Sequence, residues 1–220
     1  FYKEDNKESL FEVAIDRFPI AQYNARGHIV RHLPLDAGIK GDIDILLTKN
    51  NLQKNIPSPR SAIKSPLNKG RRDLTNQQSL IFKSWKHEDA PSLPAIHVEP
   101  YAGGIRLWIH SPSVAERVGP GNNLDNWLLQ QGQAHCLGDI WKPLLNDNLS
   151  KACQFKPGTS NKALSVQLDI SPNGLINNWE FFLSEIQPAV EVCQEHLQAI
   201  ENRKPKSRAI PLALKSIKEQ

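Results

Sequence analysis

The sequence predicts an α/β protein of the α+β kind, organised on a mixed sheet with antiparallel strand pairs. Three observations carry this. Residues 163–170 alternate strictly, with Leu164, Val166, Leu168 and Ile170 on one side and Ser165, Gln167 and Asp169 on the other, the period of a strand. The turn Ser171-Pro172-Asn173-Gly174 and the apolar run 175–186 follow directly, so the chain returns as the partner strand. Leu124, Trp127 and Leu128 recur at i, i+3 and i+4, which places a helix between the strands.

The remaining elements follow in chain order. Residues 11–18 alternate as a half-buried strand, and residues 27–33 read as a second strand after a glycine, together the end of a small barrel or sheet. Residues 41–51 carry Ile43, Leu46 and Leu47 at helical spacing, with Asp42 in the first turn. The proline-rich, basic segment 55–73 reads as a linker or extended loop. Residues 79–85 are a strand candidate. Residues 95–100 and 105–110 flank Gly103-Gly104 as a hairpin. Residues 123–133 form the helix, with Asn123 as its cap. Residues 193–202 and 211–219 are further helix candidates, divided by Arg203-Lys204-Pro205-Lys206-Ser207-Arg208. The expected organisation is residues 1–35 as terminal barrel strands, 36–75 as a linker with a short helix and a basic loop, and 76–220 as the main domain.

Composition narrows the function classes. The chain has 220 residues, with 39% hydrophobic and 23% charged, a folded rather than disordered balance. No apolar run reaches the roughly 18 residues that span a bilayer, and the first ten residues lack a signal-peptide pattern. Three scattered cysteines, Cys136, Cys153 and Cys193, suggest reduced thiols and a cytoplasmic location rather than a disulfide framework. A chain that starts at Phe1 and holds no methionine reads as processed, excised or truncated. Net charge is +4. The basic residues cluster: Lys54, Arg60, Lys64, Lys69, Arg71 and Arg72 occur without an intervening acid, and Lys204, Lys206, Arg208, Lys215 and Lys218 follow in the tail. Such clusters suit phosphate, and they equally suit a solvated loop.

Several chemistries are excluded by spacing. The cysteines and histidines give no zinc motif. His28 and His32 flank a strand, where i, i+4 does not make a ligand pair. No Walker loop, dinucleotide fingerprint or nucleophile elbow is present. Gly119-Pro120-Gly121-Asn122-Asn123 reads as a turn before the helix. His135 and Cys136 are neighbours in a strand and point to opposite faces. Trp85, Trp108, Trp127 and Trp179 sit in patterned elements and read as core residues.

The order of landmarks carries a resemblance. Arg71-Arg72-Asp73-Leu74-Thr75 resembles an R-x-D-L motif. Ile109-His110-Ser111-Pro112-Ser113-Val114-Ala115 resembles, imperfectly, a V-H-I-A-D-V-S strand. Val118-Gly119-Pro120-Gly121-Asn122-Asn123-Leu124-Asp125 is similar to V-x-P-G-S-x-L-D. Leu149-Ser150 with Cys153-Gln154-Phe155-Lys156-Pro157, and then residues 163–174, follow in the same sequence. From about residue 71 to 200 this set resembles the RNB family, the ribonuclease II and ribonuclease R exoribonucleases. The N-terminal strands resemble the end of the cold-shock, oligonucleotide-binding (OB) barrel that precedes that domain. The resemblance implies an RNB-like mixed sheet, single-stranded RNA as partner, and divalent metal such as Mg²⁺ at an active-site loop.

That loop in the family resembles I-D-x-E-D-A-R-D-F-D-D-A, whose four aspartates hold two metals for hydrolysis at an RNA 3′ end. Aligned on residues 85–95, the aspartate positions become Lys86, Ser92, Pro94 and a deletion. Glu88 and Asp89 match the two acids that are not metal ligands. Lysine brings a positive charge to a cation site, and proline has no side-chain oxygen. The family's stacking tyrosine falls at Cys136, and the aspartate of its V-H-I-A-D-V-S strand falls at Ser113. Three readings follow. The first is a catalytically degenerate RNA-binding domain with no confident cofactor, metal site or catalytic residue. The second is an active metal-dependent 3′-to-5′ exoribonuclease using Glu88, Asp89 and Glu99. The third is a scaffold segment of a larger protein that neither binds nor cuts RNA; a protein partner belongs with the first reading, as an alternative to RNA. For RNA contact the expected residues are Arg71, Arg72, Arg106, Lys142 and Lys156.

Overall fold

The computed structural model describes residues 9–35, 37–52, 59–60, 62–83, 90, 94–138 and 140–202. Two compact units divide the chain, residues 1–57 and 58–220. The division falls inside the segment expected to be a linker.

In the first unit, β1 (Ser9–Arg17) and β2 (Arg26–Pro34) pair antiparallel, and α1 (Gly38–Lys49) follows. Arg31 on β2 ties the helix to the hairpin. Its guanidinium donates to the Asp44 carboxylate at 3.1 Å and to Thr48 Oγ1 at 2.7 Å, and it also reaches Glu12 on β1. His28 binds Asp16 at 2.9 Å, and His32 lies against the Phe11 ring.

The second unit is organised on a seven-stranded mixed sheet. Its strands are β3 (Arg72–Leu74), β4 (Leu80–Lys83), β5 (Ala95–Tyr101), β6 (Gly104–Pro112), β9 (Asn161–Ile170), β10 (Ile176–Ile186) and β11 (Val190–Cys193). The spatial order is β11-β4-β5-β6-β9-β10-β3. Outer pairs β11–β4 and β10–β3 are parallel, and the pairs between them are antiparallel. Gly104 permits the β5–β6 corner, because a Cβ there would sit 2.0 Å from the Ile170 carbonyl oxygen. A small ribbon, β7 (His135–Leu137) with β8 (Ile140–Lys142), lies outside this sheet.

Helices α2 (Asn123–Gln131) and α3 (Asp147–Cys153) share one cluster, in which Leu124, Leu149 and Cys153 are buried and Trp127 and Leu128 pack at the rim. Both helices are capped by the same chemistry. Asn122 Oδ1 accepts the Asp125 N–H at 2.8 Å, and Asn146 Oδ1 accepts the Leu149 N–H at 2.9 Å. The α2 cap is therefore Asn122, one residue before the expected Asn123. Asp125 turns back to the Gly121 N–H at 2.7 Å, so residues 119–123 form a self-satisfied turn. Helix α4 (Gln194–Glu201) follows β11. Residues 211–219 lie outside the described residues. No helix of the described chain is long and apolar enough to cross a membrane.

The alternation of β9 is as the sequence predicts, but its polar rank faces inward. Ser165 is fully buried and Asp169 nearly so, while Leu164 is 43% exposed. The polar rank is satisfied by partners distant in sequence. His110 Nδ1 meets Ser165 Oγ at 2.7 Å, and Ser165 Oγ meets Ser184 Oγ at 2.6 Å. Small side chains here also admit the core of Ile81, Ala95, Phe155, Ala163 and Ile186. Trp108 is buried as expected, whereas Trp179 is 62% exposed, which corrects its reading as a core residue.

Candidate functional site

The loop that carries the question joins β4 to β5. Trp85, Lys86, Glu88, Asp89 and Ser92 lie outside the described residues. Ala90 is buried. Pro94 stands at the far end of the loop, and its carbonyl accepts the Phe82 N–H at 3.0 Å. That bond continues the β4–β5 ladder and occupies the one strong acceptor Pro94 has. Among the described residues no group of three or more His, Cys, Asp or Glu side chains converges as a metal-ligand set. Glu99, on β5, is near His97 and half exposed.

The buried polar rank lies on the inner face of the same sheet. Burial pushes the His110 imidazole down to about 4, with His97 adding charge repulsion, and among the described residues its Nε2 has no hydrogen-bond partner. Arg71 enters the same region from the segment before β3. Its Nε donates to the Leu67 carbonyl at 2.7 Å, and its Nη1 donates to the Ala163 and Ser184 carbonyls at 3.2 and 3.1 Å. Its Nη2 pairs with Glu116 in the 3₁₀ turn Ala115–Arg117. Burial alone would raise the Glu116 carboxyl, but hydrogen bonds from Arg71 and Ser113 outweigh it and hold the group below its ordinary value.

The expected RNA-contact residues therefore separate into three situations. Arg71 is turned inward, with its side chain only 2% exposed, so in this arrangement it holds the fold and presents no charge to a phosphate. Arg72 and Arg106 reach the surface but each has an internal carboxylate. Arg72 pairs with Glu180 at 2.8 Å and lies 3.8 Å over the Phe182 ring. Arg106 donates from Nε and Nη2 to Asp169, at 2.5 and 2.9 Å, and stacks 3.5 Å from the Tyr101 ring. The Arg106 hydrogen bonds hold the Asp169 carboxyl below its ordinary value. Lys142, on β8, is half-buried, and Lys156, between α3 and β9, is exposed. Neither lysine forms an ion pair with a described residue. Lys156 is carried by a locked turn, since its N–H binds Asn161 Oδ1 at 2.9 Å and its carbonyl accepts from Thr159 and Asn161. Arg60, Lys64 and Lys69 are exposed along the approach to β3.

Sequence reasoning missed Glu116 as the partner of Arg71, Ser165 as the partner of His110, and Ser184 as the partner of Ser165. The signal available was indirect: charged and hydroxyl residues interrupting apolar runs. The pairs are separated by tens of residues, so no local pattern joins them.

Comparison with known proteins adds to this geometry. The chain is 25% identical over 195 residues to the acetazolamide conferring resistance protein zam of Synechocystis, covering 82% of this chain and 24% of that protein. Its fold is similar to Mycoplasma genitalium RNase R in complex with ribose-methylated single-stranded RNA. That match has TM-score 0.70 and 15% identity and covers 95% of this chain and 34% of the other. It is also similar to yeast Ssd1, described as a pseudonuclease, with TM-score 0.68, 22% identity, and coverage of 92% and 27%. The chain thus spans about a quarter to a third of the length of these relatives. The RNB domain model matches residues 71–219, which include the seven-stranded sheet and the helices α2 and α3. On that match, the chain belongs to the RNB domain family.

Proposed function

We propose that this chain is an RNB-family domain that binds single-stranded RNA without cutting it. The observation that carries the reading is the β4–β5 loop. Lys86, Ser92, Pro94 and a deletion stand where the family carries metal-binding aspartates, and the Pro94 carbonyl is committed to the sheet. A two-metal centre needs several hard anionic oxygens around each pair of cations. One hydroxyl, one proline and one ammonium do not supply them, so these positions do not fit a two-metal centre. That a fold neighbour is described as a pseudonuclease supports the same reading. That RNase R neighbours hold single-stranded and double-stranded RNA supports RNA as the partner.

The contacts proposed for RNA are electrostatic. Arg60, Lys64, Lys69 and Arg72 line the exposed segment that leads into β3, and Lys156 stands on its own turn. Lys142 and Arg106 are further contacts, Arg106 only if its bond to Asp169 is shared or released. Cys136, where the family stacks a base on tyrosine, offers no ring, so binding rests on the backbone rather than on base stacking.

The test is paired. A 3′-labelled single strand is incubated with the protein and Mg²⁺ or Mn²⁺, and binding is titrated at two salt concentrations. The expected result is intact RNA and salt-sensitive binding. With four or five phosphates neutralised, affinity falls roughly 50- to 130-fold between about 50 and 200 mM salt. Shortening of the strand that EDTA abolishes would overturn the non-cutting reading. Absence of binding at low salt would leave the scaffold reading, with a protein as the partner.

A further inference from the structure

Cys193 closes β11, an edge strand of the seven-stranded sheet, and the next residue opens α4. Two contacts meet at the side chain of His196, three residues on. The Cys193 backbone N–H donates to His196 Nδ1 at 3.3 Å, and Cys193 Sγ lies 3.3 Å from the same Nδ1. An imidazole nitrogen that accepts a backbone N–H has its lone pair there, which in the neutral ring places the ring proton on Nε2. The thiol is then the donor to Nδ1. A base is in contact with a thiol, in the tautomer that can take its proton. Both side chains are half-buried rather than enclosed.

Capping alone does not call for this pair. The bond from the Cys193 N–H to His196 is one half of a capping box, a task that Gln or Glu performs at that position, and α2 and α3 are capped by Asn122 and Asn146. Nor do the other cysteines share it. Cys153 is buried, which pushes its thiol up. Cys136 is half-buried like Cys193, but its Sγ donates to the Gly138 carbonyl at 3.8 Å, an acceptor too weakly basic to take the proton. The charged neighbours of Cys193 are Lys83, which aligns with it on β4, Glu191, two residues earlier on the same face of β11, and Glu195 in the first turn of α4.

We propose that Cys193 is a modification site that forms mixed disulfides with small disulfides, with His196 as its base. In the exchange the Sγ proton passes to His196 Nδ1. The sulfur attacks one sulfur of a disulfide RSSR. The new Sγ–S bond forms, and the old S–S bond breaks with its electron pair on the departing RS⁻. That anion takes the proton from His196 and leaves as RSH. Cys193 is oxidised to the disulfide level and one half of the reagent is reduced. Protein thiol plus RSSR therefore gives protein–S–SR plus RSH, with no other oxidant.

The test exposes the folded 220-residue chain to 2-hydroxyethyl disulfide, a small neutral probe, at pH 7 and follows each cysteine by peptide mass after an acid quench. Without a base a thiol is only a few per cent ionised at pH 7, so a base can speed the attack by at most roughly thirtyfold. Cys193 is expected to react about tenfold faster than Cys136, and dithiothreitol to reverse the adduct. Cys153 is expected to react only once the chain is unfolded in urea. His196→Gln keeps an acceptor for the Cys193 N–H. Circular dichroism and melting temperature are expected to hold in that variant, while the Cys193 rate falls about tenfold. The deficit is expected to close near about pH 9.5, above the ordinary thiol value of about 8.5, where no base is needed. Cys193 reacting no faster than Cys136 overturns the proposal, whatever the variant does. So does a folded His196→Gln chain whose Cys193 reacts at the native rate, which makes the pair a helix cap. A deficit that persists undiminished at the alkaline end also overturns it, since that reports access to the sulfur rather than proton transfer.

Discussion

Arg71 and Arg72 are neighbours in sequence with opposite fates. Arg71 is buried against Glu116 and three carbonyls, whereas Arg72 and Glu180 are each near half exposed. Removing one member of a buried pair leaves the other desolvated and uncompensated, a loss of about 3–5 kcal/mol. An exposed pair contributes less than about 1 kcal/mol. In urea denaturation, Arg71→Met is therefore expected to lower the midpoint sharply, and Arg72→Ala barely. Equal small effects would show that the Arg71 pair is not structural. His110 makes a separate pH window. Its ordinary value is 6.5 and its folded value about 4, so the unfolded chain binds the proton more tightly between those limits. Stability is fully present above pH 6.5 and is lost as pH falls toward 4, by at most about 3 kcal/mol. Below that, the depressed carboxyls of Glu116 and Glu185 take over. Replacing His110 by Gln keeps a polar partner for Ser165 and is expected to flatten stability between pH 6.5 and 4. An unchanged slope would place the titration elsewhere.

At the scale of elements, the β5–β6 corner makes the sharpest demand. Gly103 has φ of +80° and open space around its missing Cβ, while Gly104 has a carbonyl oxygen 2.0 Å from where a Cβ would be. Gly103→Ala is therefore expected to cost about 1 kcal/mol through backbone strain. Gly104→Ala must push β6 away from β9 and is expected to cost several times more, a difference readable in paired thermal melts. A larger loss at Gly103 would contradict the geometry. The same elements show what the sequence can tell. Strands β9 and β10 and helix α2 were legible because each is long enough for its period to repeat. β3, β7, β8 and β11 have three or four residues each, too few for any period, and α3 has no apolar stripe long enough to announce it. Period also gives two faces without saying which is buried. On β9 the serine and aspartate face won, because His110, Ser184 and Arg106 satisfy it from other strands. The family resemblance was legible in the order of the motifs, but the inward turn of Arg71 was not, since three of its four acceptors lie 45 to 113 residues away.

Over the whole molecule, the two units differ in how far each can bury its own apolar residues. In the second, the described strands of the seven-stranded sheet all fall between residues 72 and 193. This unit encloses fully buried Ile81, Ala95, Ala163, Leu149 and Ile186. In the first, a two-stranded sheet leaves Val13, Ile15 and Val30 more than half exposed, and among the described residues Leu33 and Leu47 are its buried hydrophobic residues. A lone hairpin with one helix is marginal in water, because little apolar area offsets the entropy of ordering the chain. The fragment 58–220 is therefore expected to keep a cooperative thermal transition and the pH window of His110. The fragment 1–57 is expected to show a broad, non-cooperative change in circular dichroism. If 58–220 fails to melt cooperatively, its core depends on the first unit. If it folds but binds single-stranded RNA much more weakly than the full chain, the hairpin unit contributes to the proposed RNA contact. Unchanged affinity would confine RNA to the second unit and to the cations around β3.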